Sequence, residues 1–145
     1  MWTHVQRTVP GCFAALRQLR QIRNSVPTAT FQSLVVALVL SRLDYGNSVL
    51  IGLPIHLLRR LQSVQNAAAR LIYRLRRFAH VTDALVSLHW LRVPERVVYK
   101  IAVLTFKVMH GLAPAYLGPV VRVADLPGRQ SLRSAGTNRL VVPPF

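Results

Sequence analysis

Acidic residues are scarce in this chain of 145 residues, which has Lys+Arg 19 against Asp+Glu 4 and a formal net charge of +15. So few carboxylates exclude most chemistry that needs several acids at one site. Asp83 and Glu95 are explained by predicted helix N-termini, where negative charge is favourable. Asp44 is assigned to the nearby Arg42. None of these acids pairs with another, so neither a two-metal site nor an acid–base dyad can be drawn.

A second cysteine, histidines at metal-binding spacing and phosphate-binding loops are also missing. Cys12 is alone, which excludes an intramolecular disulfide framework and a Cys-based zinc cluster. The histidines His80, His89 and His110 have no metal-like spacing to one another or to Cys12. There is no Gly-rich phosphate loop and no Gly-x-Ser-x-Gly elbow. We therefore expect no catalytic residue, no metal, no cofactor and no small-molecule substrate, and we predict that the chain is not an enzyme.

Long apolar segments and a secretory signal are not indicated either. The first ten residues contain no apolar signal core. Between Arg23 and Arg42 the chain is uncharged, but its continuous apolar run, residues 34–40, is far shorter than the ~20 residues of a spanning helix. A buried core helix is the better interpretation. We expect no membrane partner, and a nuclear or cytoplasmic rather than a secreted protein.

Apolar residues make up 52% of the chain, enough for a folded core. They recur at helical spacing up to about Leu117, with breaks at Gly, Asn and Pro positions. The fold class we predict is all-α, a small irregular bundle of about five helices with an extended tail that contains Pro and Gly. Residues 1–10 are expected to be a leader outside the fold, residues 11–117 the helical region and residues 118–145 the tail.

The most informative segment is the longest predicted helix, roughly Pro54 to Arg77. At ~100° per residue its polar residues share a stripe about 80° wide. The stripe consists of Arg59, Ser63, Asn66, Arg70, Arg74 and Arg77. The opposite face is apolar, so the helix can anchor in a core while it presents four guanidinium groups over ~27 Å of axis. A predicted helix from Pro94 repeats the design more weakly with Arg96, Lys100 and Lys107.

This arginine stripe lacks acidic partners, since no Asp or Glu occurs between Asp44 and Asp83. Like charges four residues apart, such as Arg70 and Arg74, cost a few tenths of a kcal/mol each. A polyanion would neutralise them, and arginine suits phosphate oxygens. We predict nucleic-acid backbone contacts first for Arg59, Arg70, Arg74 and Arg77, and second for Arg96, Lys100 and Lys107. The alternatives are a solvated face that binds nothing and an anionic membrane surface.

Two aromatic residues accompany the last arginines of this helix. Tyr73 and Phe78 lie near Arg74, Arg76 and Arg77 in the sequence, so base stacking is one interpretation. For Phe78 we favour a place in the core. For Tyr73 the sequence supports both roles equally.

The segment Ser-Arg-Leu-Asp-Tyr-Gly-Asn-Ser at residues 41–48 resembles a known family. Similar segments follow in the same order along the chain. They lie at residues 61–72, 88–91, 110–117, 132–134 and 140–143. Together they resemble the region C-terminal to the catalytic palm in reverse transcriptases of non-LTR (LINE-type) retrotransposons. The resemblance covers nearly everything after Cys12.

The resemblance implies a fragment of such a polymerase, the thumb and adjoining helices that grip the template–primer duplex. It implies that residues 66–72 face the nucleic acid, which agrees with the arginine stripe. The Asp-Asp palm motif of the family is absent, so no polymerisation is expected from this chain. The expected partners are RNA or DNA backbone and the palm–fingers part of the polymerase. The alternatives are a helical module that docks on a polymerase core without touching nucleic acid, and a non-functional remnant.

Overall fold

The computed structural model describes residues 2–118, 120–128 and 139–141. In these residues the secondary structure is helical and no β-sheet forms, which confirms the all-α prediction. The helices are α1 (Trp2–Ile22), α2 (Thr28–Val35), α3 (Ser41–Asp44), α4 (Ile55–Tyr73), α5 (Thr82–Ser87) and α6 (Val93–Met109). A π-helical turn, Val36–Leu40, joins α2 to α3. If residues 28–44 are taken as one helical run, the described part of the chain has five helices, as predicted.

The chain divides into two compact units, Met1–Lys100 and Ile101–Phe145. Within the first unit, α1 packs most extensively against α4, and α2 packs against both. The contact face of α4 is almost completely buried, with Leu61, Val64, Ala68 and Ile72 between 0 % and 2 % exposed. The apolar side of α4 is therefore the anchored side that the sequence predicts, and it fixes the position of the arginines that follow.

Helix α1 contains nearly all of residues 1–10, so the prediction that this segment lies outside the fold is wrong. Val5 is fully buried and Val9 is 7 % exposed, and both continue the apolar face toward Cys12. Pro10 lies inside the helix, where it lacks an N–H and costs about 3 kcal/mol. Burial of the two valines at ~1.5–3 kcal/mol each offsets that cost.

The helical run of residues 28–44 is buried on one side only. Phe31, Val35 and Val39 are fully buried, whereas Val36 is 40 % exposed and Leu38 is 42 % exposed. The expected core helix is therefore a surface helix with an apolar outer face.

The second unit contains the C-terminal half of α6 and two short 3₁₀ turns, Ala115–Leu117 and Val123–Asp125. Gly111 has φ +67°, and the Leu112 amide donates to the Lys107 carbonyl at 2.8 Å, which ends α6 near the predicted residue. In the predicted tail, Leu140 forms an isolated antiparallel bridge with Arg122. The family-like residues 132–134 and 142–143 lie outside the described residues.

Candidate nucleic-acid interface

Helix α4 ends at Tyr73, earlier than the predicted Arg77. Arg74 has φ +54°, in the left-handed region, and the Leu75 amide donates to the Arg70 carbonyl at 2.9 Å. This is a Schellman-type ending, in which the left-handed position is usually glycine. A helix continued through Arg74, Arg76 and Arg77 would bring these like charges close together along its surface. Because α4 ends at Tyr73, these three arginines lie in and after the turn and not on the surface of the helix.

The prediction that the four arginines form one stripe along a single helix is therefore wrong. Of the four predicted residues, Arg59 and Arg70 lie on α4, whereas Arg74 and Arg77 lie beyond its end. Arg59 and Arg70 are about 16 Å apart along the axis. Asn66 makes a side-chain contact within α4, since its Oδ1 accepts a 2.8 Å hydrogen bond from Gln62 Nε2.

Gln62 and its neighbours form an amide network that positions α6. Gln62 Oε1 accepts a 2.7 Å hydrogen bond from the Val93 amide at the start of α6. Gln65 Nε2 donates to the Leu91 carbonyl at 2.8 Å, and Gln65 is 1 % exposed. A buried amide of this kind is stabilising only when it is hydrogen bonded. The polar residues in the middle of α4 therefore have structural partners.

The turn after α4 brings arginines from two helices together around a cleft of about 610 Å³. We call it the arginine cleft. Its six arginines are Arg20, Arg23, Arg70, Arg74, Arg76 and Arg77. Its floor includes Ala67, Leu71 and Leu75, and no Asp or Glu of the described residues lines it. The negative ends of α1 and α4, roughly half an elementary charge each, offset only a small part of this positive charge.

Arg23 holds the cleft together. It is 8 % exposed, and its Nη2 donates to the Ile72 carbonyl at 2.8 Å and to Thr28 Oγ1 at 3.3 Å. Its guanidinium also lies 4.7 Å from the centroid of the Phe31 ring, a cation–π contact. These contacts tie the C-terminal end of α4 to the start of α2. Arg23 is therefore a structural residue whose charge contributes to the cleft.

Arg70 is half-buried at the base of the cleft. Its Nη2 makes a long 3.4 Å hydrogen bond to the Ala79 carbonyl. Among the described residues, the Nε atoms of Arg70 and Arg23 are buried without a hydrogen-bond partner. A buried donor without a partner costs about 1–3 kcal/mol.

The remaining four arginines of the cleft, Arg20, Arg74, Arg76 and Arg77, are exposed. In the part of the chain that the structure describes, no carboxylate lies within salt-bridge distance of them. Guanidinium groups in this state are hydrated and free to bind phosphate in a bidentate manner.

Arg96 and Lys100 lie elsewhere in the first unit and are paired. Arg96 Nε lies 2.6 Å from Asp44 Oδ1, and Lys100 Nζ lies 2.8 Å from Asp44 Oδ2. The assignment of Asp44 to Arg42 is therefore wrong. Burial raises the pKa of Asp44, but hydrogen bonds from the two cations outweigh burial and lower the pKa overall. Two of the seven cations that were predicted to contact phosphate are therefore paired with a carboxylate.

The other predicted residues are not among those that line the cleft. Arg59 is exposed on the N-terminal half of α4, and Lys107 is exposed on the part of α6 that belongs to the second unit. Phe78, which we placed in the core, is 91 % exposed, and its ring centroid lies 5.8 Å from the Arg77 guanidinium carbon. Tyr73 is 41 % exposed. An aromatic ring is thus available beside the cleft.

Sequence reasoning missed Arg20, Arg23 and Arg76 as part of this site. The signal for the first two was present, because Arg17, Arg20 and Arg23 alternate with the apolar residues of α1. What the sequence does not contain is the packing of α1 against α4, which places the ends of both helices together. From the sequence alone, the arginines at the end of α1 and those at the end of α4 are therefore interpreted as two separate basic faces.

Among residues 2–118, 120–128 and 139–141, the structure has no helix with both the length and the apolar character needed to cross a membrane. No protein-family model, curated protein or solved structure matches this chain.

Proposed function

We propose that the arginine cleft binds the sugar–phosphate backbone of nucleic acid without regard to base sequence. The observation that carries the proposal is the convergence of six arginines, from the C-terminal ends of α1 and α4 and the segments that follow them, without a neighbouring acid among the described residues. A phosphodiester chain offers regularly spaced negative charges, and arginine pairs with phosphate oxygens through two parallel hydrogen bonds.

The concave shape of the site favours a nucleic acid over an anionic membrane. A polyanionic strand can enter a cleft between two helix ends, whereas a flat lipid surface contacts only its rim. Contacts to phosphates position a protein on nucleic acid but do not read bases. The proposed function therefore places the chain in the nucleus or cytoplasm, where nucleic acid is found.

We further propose that the chain is a fragment of a reverse transcriptase of a non-LTR retrotransposon, from the region that follows the palm. The support is the ordered series of family-like segments, from residues 41–48 to residues 110–117. The cleft and the all-helical fold are consistent with a region that grips a template–primer duplex. In this assignment the chain contributes binding and no phosphoryl-transfer chemistry, because it lacks the palm carboxylates.

The test is fluorescence anisotropy with labelled duplex DNA, single-stranded DNA and an RNA–DNA hybrid over a range of salt. If the four exposed cleft arginines neutralise four phosphates, log K falls with log salt at a slope near −3.6 on duplex DNA. The variant Arg74→Glu/Arg77→Glu is expected to weaken binding by on the order of 100-fold and to reduce the slope to about −1.8.

The matched control is Arg17→Glu/Arg92→Glu, which makes the same change in net charge at exposed positions outside the cleft. Its binding is expected to stay within a few-fold of the unmodified protein. Equal losses in both variants would mean that net charge, not the cleft, drives binding. A slope near zero, or a loss confined to one base sequence, would contradict backbone recognition.

A second candidate function is docking on a polymerase core. It is favoured by the exposed apolar residues Val36 and Leu38 on the outer side of the helical run of residues 28–44. The test is association with a separately produced palm–fingers fragment, measured by analytical ultracentrifugation. Leu38→Glu should abolish association and leave nucleic-acid binding intact, and association that survives this change would exclude this face.

A further inference from the structure

A second basic pocket, of about 250 Å³, lies between the N-terminal half of α1 and the end of α3. Its lining residues are His4, Arg7, Thr8, Gly11, Arg42 and Tyr45. The four residues from α1 are spaced three and four apart, so they share one helix face. The pocket lies in the first unit, and Arg7 is about 20 Å along the α1 axis from Arg20 of the arginine cleft.

Two aromatic rings form one wall of this pocket. The ring centroids of His4 and Tyr45 are 6.1 Å apart, with an interplanar angle of 36°. Thr8 Oγ1 lies 3.4 Å from His4 Nε2, which helps to orient the imidazole. Tyr45 is 75 % exposed, so much of its ring faces solvent. An exposed aromatic face of this kind is a stacking surface for a nucleic-acid base.

Two guanidinium groups accompany these rings. Arg42 Nη1 donates to the Gly11 carbonyl at 3.5 Å. A Cβ added to Gly11 would lie 3.7 Å from this Arg42 nitrogen. Asp44, the nearest acid in the sequence, is bound to Arg96 and so leaves Arg42 without a carboxylate. Among the described residues no Asp or Glu lines the pocket. Its charge is therefore available to an anion.

We propose that this pocket binds one nucleotide, with the base stacked on Tyr45 and the phosphate held between Arg7 and Arg42. The inference goes beyond backbone binding in the arginine cleft, because it requires a base that is not already stacked in a duplex. Its ligand is a free nucleoside monophosphate or an unpaired nucleotide of a strand, which share this chemistry. Stacking on an aromatic ring stabilises a bound base whatever its identity, because every base has a π-face.

The experiment is a titration with adenosine monophosphate followed by NMR chemical shifts, with ribose 5-phosphate and inorganic phosphate as probes without a base. We expect saturable binding of the nucleotide, weaker binding of both base-free probes, and shifts centred on the backbone amides of residues 4–11 and 42–45. Tyr45→Leu should weaken nucleotide binding about tenfold and leave phosphate binding unchanged. Tyr99→Leu, at another exposed tyrosine of the same unit, is the matched control.

A single-stranded oligonucleotide and a duplex distinguish the two sources of the nucleotide. If Tyr45→Leu weakens the single strand but not the duplex, the pocket takes an unpaired nucleotide of a strand. If it weakens only the monophosphate, the pocket takes a free nucleotide. No saturable binding, equal affinity for nucleotide and ribose 5-phosphate, or an unchanged Tyr45→Leu variant would overturn the proposal. Arg74→Glu/Arg77→Glu should spare monophosphate binding, so failure of the cleft and failure of this pocket are separate results.

Discussion

The first unit contains two clusters of cations, and among the described residues only one of them includes an acid. In the cluster of Asp44, Arg96 and Lys100, one carboxylate holds two cations at 2.6 Å and 2.8 Å and joins the end of α3 to α6. In the arginine cleft, six guanidinium groups converge and no acid of the described residues lies among them. The first cluster is explained by the fold alone. In the second, the four exposed arginines have no carboxylate partner among the described residues, and it is for this cluster that we propose an anionic ligand.

The comparison shows why a charge count along the sequence does not separate structural cations from binding ones. Arg96 and Arg74 are both predicted from the sequence to contact phosphate, because each lies with other cations on one face of a predicted helix. Arg96 acquires a partner 52 residues away, whereas Arg74 projects from a turn. The partner, more than the density of positive charge, decides which residues are available to a ligand.

The largest effect is expected at Arg23, the cleft arginine that has a structural role. Arg23→Ala removes the hydrogen bond to the Ile72 carbonyl and the contact with Phe31. It should lower the free energy of unfolding by about 2–4 kcal/mol, since a buried carbonyl loses its donor. Urea unfolding measures the change. Arg20→Ala, at an exposed cleft position, is the control and should stay within about 0.5 kcal/mol; equal costs would remove the distinction between the two residues.

The second effect concerns the paired cluster. Asp44→Ala leaves Arg96 and Lys100 without their counter-ion, and both are partly removed from water. We expect a loss of about 1–3 kcal/mol in the free energy of unfolding, less than for a fully buried pair. Nucleic-acid affinity should not fall. Arg42→Ala should change stability by less than about 0.5 kcal/mol, and a larger loss there than at Asp44 would restore the local pairing that the sequence suggests.

A smaller effect is the dependence of stability on pH. The pKa of Asp44 is lower in the folded protein than its ordinary value, so its contribution is fully present above the unfolded pKa of about 3.9 and is lost as the pH falls through the folded pKa. The chain has only four acidic residues, so few other groups titrate in this range. Urea unfolding between pH 6 and 3 should show the gap between the unmodified protein and Asp44→Asn closing at low pH. A constant gap would mean that the charge of Asp44 is not what stabilises α6.

The sequence predicts the features of this fold that depend on local pattern. The apolar face of α4, the breaks between helices and the end of α6 near Gly111 follow from spacing and from residue type. Three features depend on contacts between residues that are distant in the sequence. They are the burial of Val5 and Val9 despite Pro10, the distant partner of Asp44, and the meeting of the ends of α1 and α4.

No local sequence signal predicts where α4 ends. Glycine usually occupies the left-handed position after a helix, because it has no Cβ to clash with the backbone. Here Arg74 occupies it with φ +54°. Gly111 and Gly46 mark comparable turns in the sequence, whereas Arg74 reads as one more residue of a helix. The prediction of the arginine stripe failed at this residue for that reason.

The smallest expected effect sharpens the comparison most, because stability and binding should change in opposite directions. Arg74→Gly removes the cost of a side chain in the left-handed region and should raise the free energy of unfolding by about 0.5–1 kcal/mol. It also removes one exposed guanidinium from the cleft, so nucleic-acid affinity should fall and the salt slope should become less steep by about 0.9. Arg74→Ala is the control, since it removes the same charge without relieving the backbone. If Arg74→Gly and Arg74→Ala were equally stable, the left-handed turn would carry no strain. If both bound as tightly as the unmodified protein, Arg74 would be a turn residue only, and the cleft would bind through its other arginines.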